Sequence, residues 1–97
     1  MRTIEPVRQF RKDFKRETKG RSATYVARLK ADLAAITKVL AADVTLDDRY
    51  RDHALTGDWK DHRDCHIRPD LVLIYRKPDD DILELVRLGS HSELGLK

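Results

Sequence analysis

The chain of 97 residues is poor in cysteine, in aromatic residues and in long apolar runs. Its one cysteine, Cys65, cannot form an intramolecular disulfide, which fits a reducing compartment. No stretch of about 18 apolar residues is present, so a transmembrane helix is not expected. Residues 1–10 hold no apolar segment typical of a secretory signal. We therefore expect a cytoplasmic protein with one domain over residues 1–97 and no membrane partner.

Charge is plentiful and unevenly placed. Residues 1–30 carry ten lysines and arginines against three acids, although the net charge of the chain is only +3. Residues 43–70 carry eight acids against five basic residues, together with three of the four histidines. A basic half suits a polyanion or an acidic protein partner. A solvated helix face would give the same composition.

Two amphipathic helices are predicted in the first half. Val7, Phe10 and Phe14 recur at spacings of three and four, which indicates a helix over residues 7–19 with a basic outer face. Gly20 is suited to end this helix, and Ser22 to cap the next. The second helix is predicted by the apolar stripe Val26, Leu29, Leu33, Ile36 and Leu40. The two helices would form a helical hairpin.

The second half predicts a loop followed by three strands. Residues 43–58 follow neither the helical nor the strand period, so they predict a long acidic loop, which in a small domain is usually functional. Residues 59–69, 70–77 and 81–89 predict strands, the middle one central because it is almost continuously apolar. With a short edge strand in residues 1–6, the order is β-α-α-β-β-β. We expect an α+β fold whose mainly antiparallel sheet carries the helical hairpin on one face.

The stretch "HRDCHIRPD", residues 62–70, concentrates reactive side chains. In a strand, the period of two places His62, Asp64 and His66 on one face, with Cys65 pointing the other way. Cys65 would then be a small core residue and could not join the histidines as a metal ligand. A metal site is disfavoured because no second cysteine at zinc-site spacing is present, although zinc held by His62 and His66 stays an alternative.

The same histidines could carry protons. Histidine exchanges protons near neutral pH, and an adjacent aspartate can orient it or raise its pKa. RNA cleavage needs a base for the ribose 2′-OH, an acid for the departing 5′-oxygen and cations for the phosphate. Surface polar residues without a catalytic role remain the alternative reading of this cluster.

The motifs of the second half resemble a known family. The pattern H-x-L-x-G-x-W is followed by R-D-x-H-I-x-P-D, L-I-Y and R-x-G-S-H, in that order and with matching spacing. The residues are His53, Leu55, Gly57, Trp59, Arg63, Asp64, His66, Ile67, Pro69, Asp70, Leu73, Ile74, Tyr75, Arg87, Gly89, Ser90 and His91. On these blocks the chain resembles the YafQ branch of the RelE-superfamily toxins, and the order of elements extends the resemblance over nearly the whole chain.

The resemblance implies a toxin of a type II toxin–antitoxin system, an endoribonuclease that cuts mRNA in the ribosomal A site without a metal or another cofactor. It places the catalytic residues at His53, His66, Asp70 and His91. Arg87 would face the scissile phosphate, and we expect further RNA contacts from Lys60, Arg63 and Arg68.

Roles within the catalytic set are only partly determined. We expect His66 and Asp70 to activate the 2′-OH, His91 to protonate the leaving oxygen and His53 to position the phosphate. The assignment of base and acid stays open, because a sequence contains no distances.

The chain departs from the family pattern in its aromatic residues. Leu71 replaces a tryptophan after the aspartate, and Gly95 lies near the position of a terminal phenylalanine. Base stacking contributes about 1–3 kcal/mol per base, so codon preference or RNA affinity is expected to differ. Trp59 is expected to pack against the core.

The expected partners are the ribosome with its mRNA, a cognate antitoxin and, only through the antitoxin complex, operator DNA. The antitoxin should present an acidic, partly disordered segment that folds on binding. Its carboxylates would meet the basic face of the first helix, formed by Arg8, Arg11, Lys12, Lys15, Arg16 and Lys19. The alternative function is a catalytically inactive relative that only binds the antitoxin and acts as a corepressor.

Overall fold

A computed structural model describes residues 1–96, so that Lys97, the last residue of the expected domain, lies outside the described part. The helices and strands in chain order are β1 Thr3–Pro6, α1 Arg8–Thr18, α2 Ala23–Ala41, β2 His53–Ala54, β3 Arg63–Arg68, β4 Leu71–Arg76 and β5 Ile82–Gly89. The five strands form one sheet in the order β1-β5-β4-β3-β2. The β1–β5 pair is parallel and the other pairs are antiparallel. The predicted α+β fold is confirmed.

The helices form where the apolar stripes predicted them. Phe10 of α1 is buried, and Val7 and Phe14 pack against the same core. In α2 the stripe from Leu29 to Leu40 is buried, and the Ser22 hydroxyl caps the helix by accepting a hydrogen bond from the Tyr25 N–H at 3.1 Å. Both helices therefore face the sheet with their apolar sides.

The sheet is buried on both faces at its centre. Cys65, Leu73, Tyr75 and Leu88 belong to the main core under the helices. Val72 and Ile74 of β4 belong to a second cluster, which Leu55, Trp59, Val86, Leu94 and Leu96 cover. The predictions for Cys65 as a core residue, β4 as a central strand and Trp59 as a packing residue are confirmed. No helix within residues 1–96 is long and apolar enough to cross a membrane.

Two sequence predictions were wrong in the segment before β3. The expected loop 43–58 contains a 3₁₀ turn at Asp48–Tyr50, the strand β2 and part of a second 3₁₀ turn at Gly57–Trp59. The strand expected from residue 59 begins only at Arg63, which leaves His62 outside it. A strand of two residues is too short to show periodicity, and β2 forms because it pairs with β3.

Candidate active site

Strand pairing brings His53 and Asp64 together. His53 of β2 lies directly opposite Asp64 of β3, and its Nε2 is 2.8 Å from the Asp64 Oδ1. The contact has the distance of an ion pair, but the Asp64 Oδ1 has no assigned hydrogen-bond partner within residues 1–96. Asp64 is only 2% exposed. Burial raises the pKa of its carboxyl, and the neighbouring imidazoles, first that of His53, act in the opposite direction.

His66 follows two residues later on the same face of β3, as the period of two predicted. Its ring lies against that of His91, with the centroids 4.9 Å apart and the planes inclined by 59°. Burial lowers the pKa of His66, and the nearby His91 lowers it further. His66 is therefore favoured in its neutral form, which can accept a proton.

Asp70 approaches His91 and not His66. The His91 Nδ1 is 4.0 Å from the Asp70 Oδ1 across the turn between β3 and β4. Among residues 1–96 no ion-pair contact joins Asp70 to His66, so the expected pairing of these two is not seen. The structure thus brings together His66, His91 and Asp70 on one side and His53 with Asp64 on the other.

Asp64 was not among the predicted catalytic residues, although the strand period placed it on their face. Its central position depends on β2, which brings His53 to it and leaves no signal in the sequence.

Two open hollows flank the site. One of about 740 Å³ is lined by His53, Asp64 and His91, and one of about 400 Å³ by His66, Arg49 and Arg51. Sequence reasoning did not single out these two arginines.

The predicted RNA-binding cations have different surroundings. Arg87 donates from Nε to Asp13 at 2.7 Å, Arg63 from Nε to Asp52 at 3.3 Å, and Arg68 from Nη2 to Asp32 at 3.1 Å. Lys60 is exposed. Three of the four are therefore held by carboxylates of the chain, and their contact with RNA stays a prediction.

All six cations of the predicted basic face are exposed: Arg8, Arg11, Lys12, Lys15, Arg16 and Lys19. Arg16 differs, because its guanidinium lies 2.8 Å from the Asp13 carboxylate and donates to the Leu88 carbonyl at 2.8 Å. The Asp13 carboxylate is 0% exposed. The sequence carried a signal for this: Asp13 lies three residues after Phe10, on the buried stripe of the helix.

The alternative zinc site at His62 and His66 has no support in the geometry. His62 packs edge-on against Trp59 with ring centroids 5.3 Å apart, and its Nδ1 lies 3.0 Å from the Lys60 carbonyl. Cys65 is fully buried, and this burial raises the pKa of its thiol. Within residues 1–96 no group of three or more histidine, cysteine, aspartate and glutamate side chains is arranged to hold a metal ion.

Comparisons with known proteins place this chain in a family. Residues 2–96 match the family described as bacterial toxin of type II toxin-antitoxin system, YafQ. The mRNA interferase toxin YafQ of Escherichia coli (strain B / BL21-DE3) is 37% identical over 93 residues, 96% of this chain and 95% of that one. Matches to two further curated relatives are shorter, so that the chain spans about half of their length, 54% and 48%.

Solved structures agree over almost the whole chain. The toxin in the E. coli DinJ-YafQ complex superimposes with a TM-score of 0.77 at 34% identity, covering 97% of this chain and 98% of that one. A metal-bound toxin from Helicobacter pylori gives a TM-score of 0.78 at 43% identity, with 97% and 99% covered. The chain therefore belongs to the YafQ family of bacterial toxins of type II toxin–antitoxin systems.

Proposed function

We propose that this toxin is an endoribonuclease that cleaves translated mRNA on the ribosome, in the cytoplasm. One observation supports the proposal most strongly: two imidazoles, those of His66 and His91, lie with ring centroids 4.9 Å apart on an open face of the sheet. Two proton carriers at this separation can serve the two oxygens of one phosphodiester. The name of the full-length E. coli relative, mRNA interferase toxin, points to the same substrate.

The proposed reaction is an attack of the ribose 2′-oxygen on the adjacent phosphorus. His66, whose lowered pKa favours the neutral imidazole, accepts the 2′-OH proton. The P–O5′ bond breaks, and His91 in its protonated form gives its proton to the leaving 5′-oxygen. The Asp70 carboxylate, 4.0 Å from the His91 Nδ1, is our candidate for orienting that ring. The products are a 2′,3′-cyclic phosphate and a free 5′-hydroxyl.

Charge on the phosphate must be met by cations. Arg87 is our candidate for this contact, and Lys60, Arg63 and Arg68 are candidates for the flanking RNA. His53 would position the phosphate, because its exposed imidazole is held beside the buried Asp64. No step of this reaction requires a metal ion.

The test is cleavage of a defined mRNA on programmed ribosomes, with both new ends mapped. We expect a 2′,3′-cyclic phosphate end, formed equally well in EDTA, and a rate constant lowered by about 10²–10⁴ in His66→Ala. His62→Ala is the matched control, because His62 lines neither of the two hollows of the site. Loss of cleavage in EDTA, or a 3′-hydroxyl product, would contradict the mechanism.

We also propose that an antitoxin with an acidic, partly disordered segment binds the exposed cations of α1. The E. coli YafQ toxin has been solved in complex with DinJ. Carboxylates on a partner would meet Arg8, Arg11, Lys12, Lys15 and Lys19, and ribosomal RNA phosphates would meet the same surface. Operator DNA would be bound only by the complex of the toxin with that antitoxin. Reversing Arg8, Lys12 and Lys19 to Glu should slow association with both partners and leave the fold intact, whereas unchanged association would contradict the proposal.

A further inference from the structure

The edge of β5 is open beyond the end of β1. The parallel pairing of these strands ends at Pro6 and Leu85, although β5 continues to Gly89. At Leu88 two side chains of α1 take the place of a strand. The Leu88 N–H donates to the Asp13 Oδ2 at 3.0 Å, and the Leu88 carbonyl accepts from the Arg16 Nη2 at 2.8 Å. The two residues lie three positions apart in α1, one turn of the helix.

Asp13 collects donors from two elements. Besides Leu88, its carboxylate accepts from Gln9 at 3.1 Å, from Arg16 at 2.8 Å and from the Arg87 Nε at 2.7 Å. Burial alone would raise the pKa of this carboxyl, but the hydrogen bonds, first that from Arg87, hold it below the usual value. A buried carboxylate with this many donors is costly to disturb, so it fixes the direction of the Arg87 side chain.

The Arg16 guanidinium also lies close to residues 89–93, the segment that contains His91. An added Cβ on Gly89 would lie 2.9 Å from the Arg16 Nη2 and 3.3 Å from both Glu93 and Leu94. Glycine at this position therefore leaves room for the guanidinium. The Arg16 Nε is also 3.2 Å from the Glu93 Oε2.

Glu93 belongs to the turn that carries His91. The Ser90 N–H donates to the Glu93 Oε1 at 2.9 Å, and the Glu93 N–H donates to the Ser90 hydroxyl at 3.1 Å. This reciprocal pair is a capping box, which fixes the backbone of the residues between its members. His91 is one of those residues, so Arg16 braces the turn from outside.

We propose that Asp13 and Arg16 are positioning residues that hold residues 87–93 in place and thereby aim Arg87 and His91 at the substrate. The catalytic meaning of this inference rests on the proposed function. Arg16 then serves the active site and not the docking surface, although its sequence position puts it among the docking cations.

The experiment compares Arg16→Met with Arg16→Lys and with the control Lys30→Met, which removes one exposed cation from α2. All are assayed at a temperature where circular dichroism shows each variant folded. We expect Arg16→Met to lower the maximal cleavage rate constant about 10- to 100-fold at an unchanged half-saturating ribosome concentration. Lysine, which keeps the charge but not the fork of donors, should restore part of the loss.

Two further measurements do not depend on cleavage. In Arg16→Met the NMR signals of the His91 ring should move, and the Leu88 amide should exchange with solvent faster than in Lys30→Met. A double variant tests the coupling in the cleavage assay. In a His91→Ala background, adding Arg16→Met should lower the cleavage rate constant only slightly further, because both changes act on the position of the same histidine. If Arg16→Met fails to fold, the same measurements are made on Arg16→Lys and Gly89→Ala and compared with Lys30→Met.

The opposite result in Arg16→Met would overturn the inference. A docking cation is expected to leave the maximal cleavage rate constant unchanged and to raise the half-saturating ribosome concentration. Unmoved His91 signals and unchanged Leu88 exchange would overturn it as well. If the wild-type protein cleaves no mRNA, the proposed function fails. The NMR and exchange measurements still decide whether Arg16 holds the segment.

Discussion

His53 and His91 reach the same site from segments that are held in different ways. His91 follows an eight-residue strand and lies inside a capping box braced by Arg16. His53 lies on a strand of two residues, and Arg51, two positions earlier, is in the left-handed region at φ 51°. The His53 side chain is 57% exposed and that of His91 is 35% exposed. The segment of His91 is thus held by several side-chain contacts, whereas the segment of His53 is held by few hydrogen bonds.

The support of the His53 segment comes from the residue before it. The Tyr75 hydroxyl donates to the Asp52 Oδ1 at 2.6 Å, and Arg63 Nε donates to the same oxygen at 3.3 Å. Tyr75 is buried in the main core, and burial followed by the neighbouring Asp52 raises the pKa of its hydroxyl. A buried hydroxyl needs a partner, so this bond ties β2 to the core. The comparison shows two ways to place a histidine beside a sheet: by a braced turn or by one buried anchor.

The largest expected effect separates the two histidines themselves. His91→Ala should lower the single-turnover cleavage rate constant by about 10²–10⁴, because it removes the proposed general acid. His53→Ala should lower it less, since the more exposed His53 acts on the position of the phosphate and transfers no proton. Rates on ribosomes programmed with one mRNA measure both. A larger loss in His53→Ala would reverse the assignment of roles.

An intermediate effect is expected from removing the anchor of the His53 segment. Tyr75→Phe loses a hydrogen bond to a charged group, which should lower the free energy of unfolding by about 1.5–3 kcal/mol in urea titrations. The NMR signals of the His53 ring should broaden while those of His91 stay unchanged.

Tyr50→Phe is the matched control for stability, because the Tyr50 hydroxyl accepts an exposed hydrogen bond from Arg49 at 2.8 Å. An equal loss of stability in both variants would show that the bond to Asp52 is no anchor. Movement of the His91 signals in Tyr75→Phe would show that the two segments are not held independently.

The smallest effect is a pH dependence of stability at Asp64. Burial raises the folded-state pKa of this carboxyl above its ordinary value of 3.8, so its contribution to stability is fully present below that pH. The contribution is lost as the pH rises through the folded-state pKa. The Asp64→Asn side chain cannot titrate. The free energy of unfolding of the wild type, relative to that of this variant, should therefore fall as the pH rises above about 4.

Urea unfolding of both proteins at several pH values measures this difference. His62→Ala should show the same pH dependence of stability as the wild type, since it keeps the Asp64 carboxyl and His62 lines neither hollow of the site. A constant difference between wild type and Asp64→Asn at all pH values would mean that burial does not raise the pKa of this carboxyl.

Periodicity determined most of the scaffold. The stripes of α1 and α2 and the continuous apolar run of β4 are properties of neighbouring residues, so they are visible in the sequence. The same rule placed Asp64 and His66 on one face of β3 and Cys65 in the core. The ordered motifs of residues 53–91 further identified the family, because each block keeps its spacing within the chain.

The tertiary structure alone decided how these parts meet. The pairing of β2 with β3 set His53 opposite Asp64, the turn after β3 brought Asp70 to His91, and α1 inserted Asp13 and Arg16 at the open edge of β5. Such contacts join residues far apart in the chain, and a local pattern contains no information about them. The sequence by itself therefore determined the candidate side chains and the elements of most of them, but not the strand that carries His53. The distances and contacts that bring these side chains together depend on long-range pairing and packing.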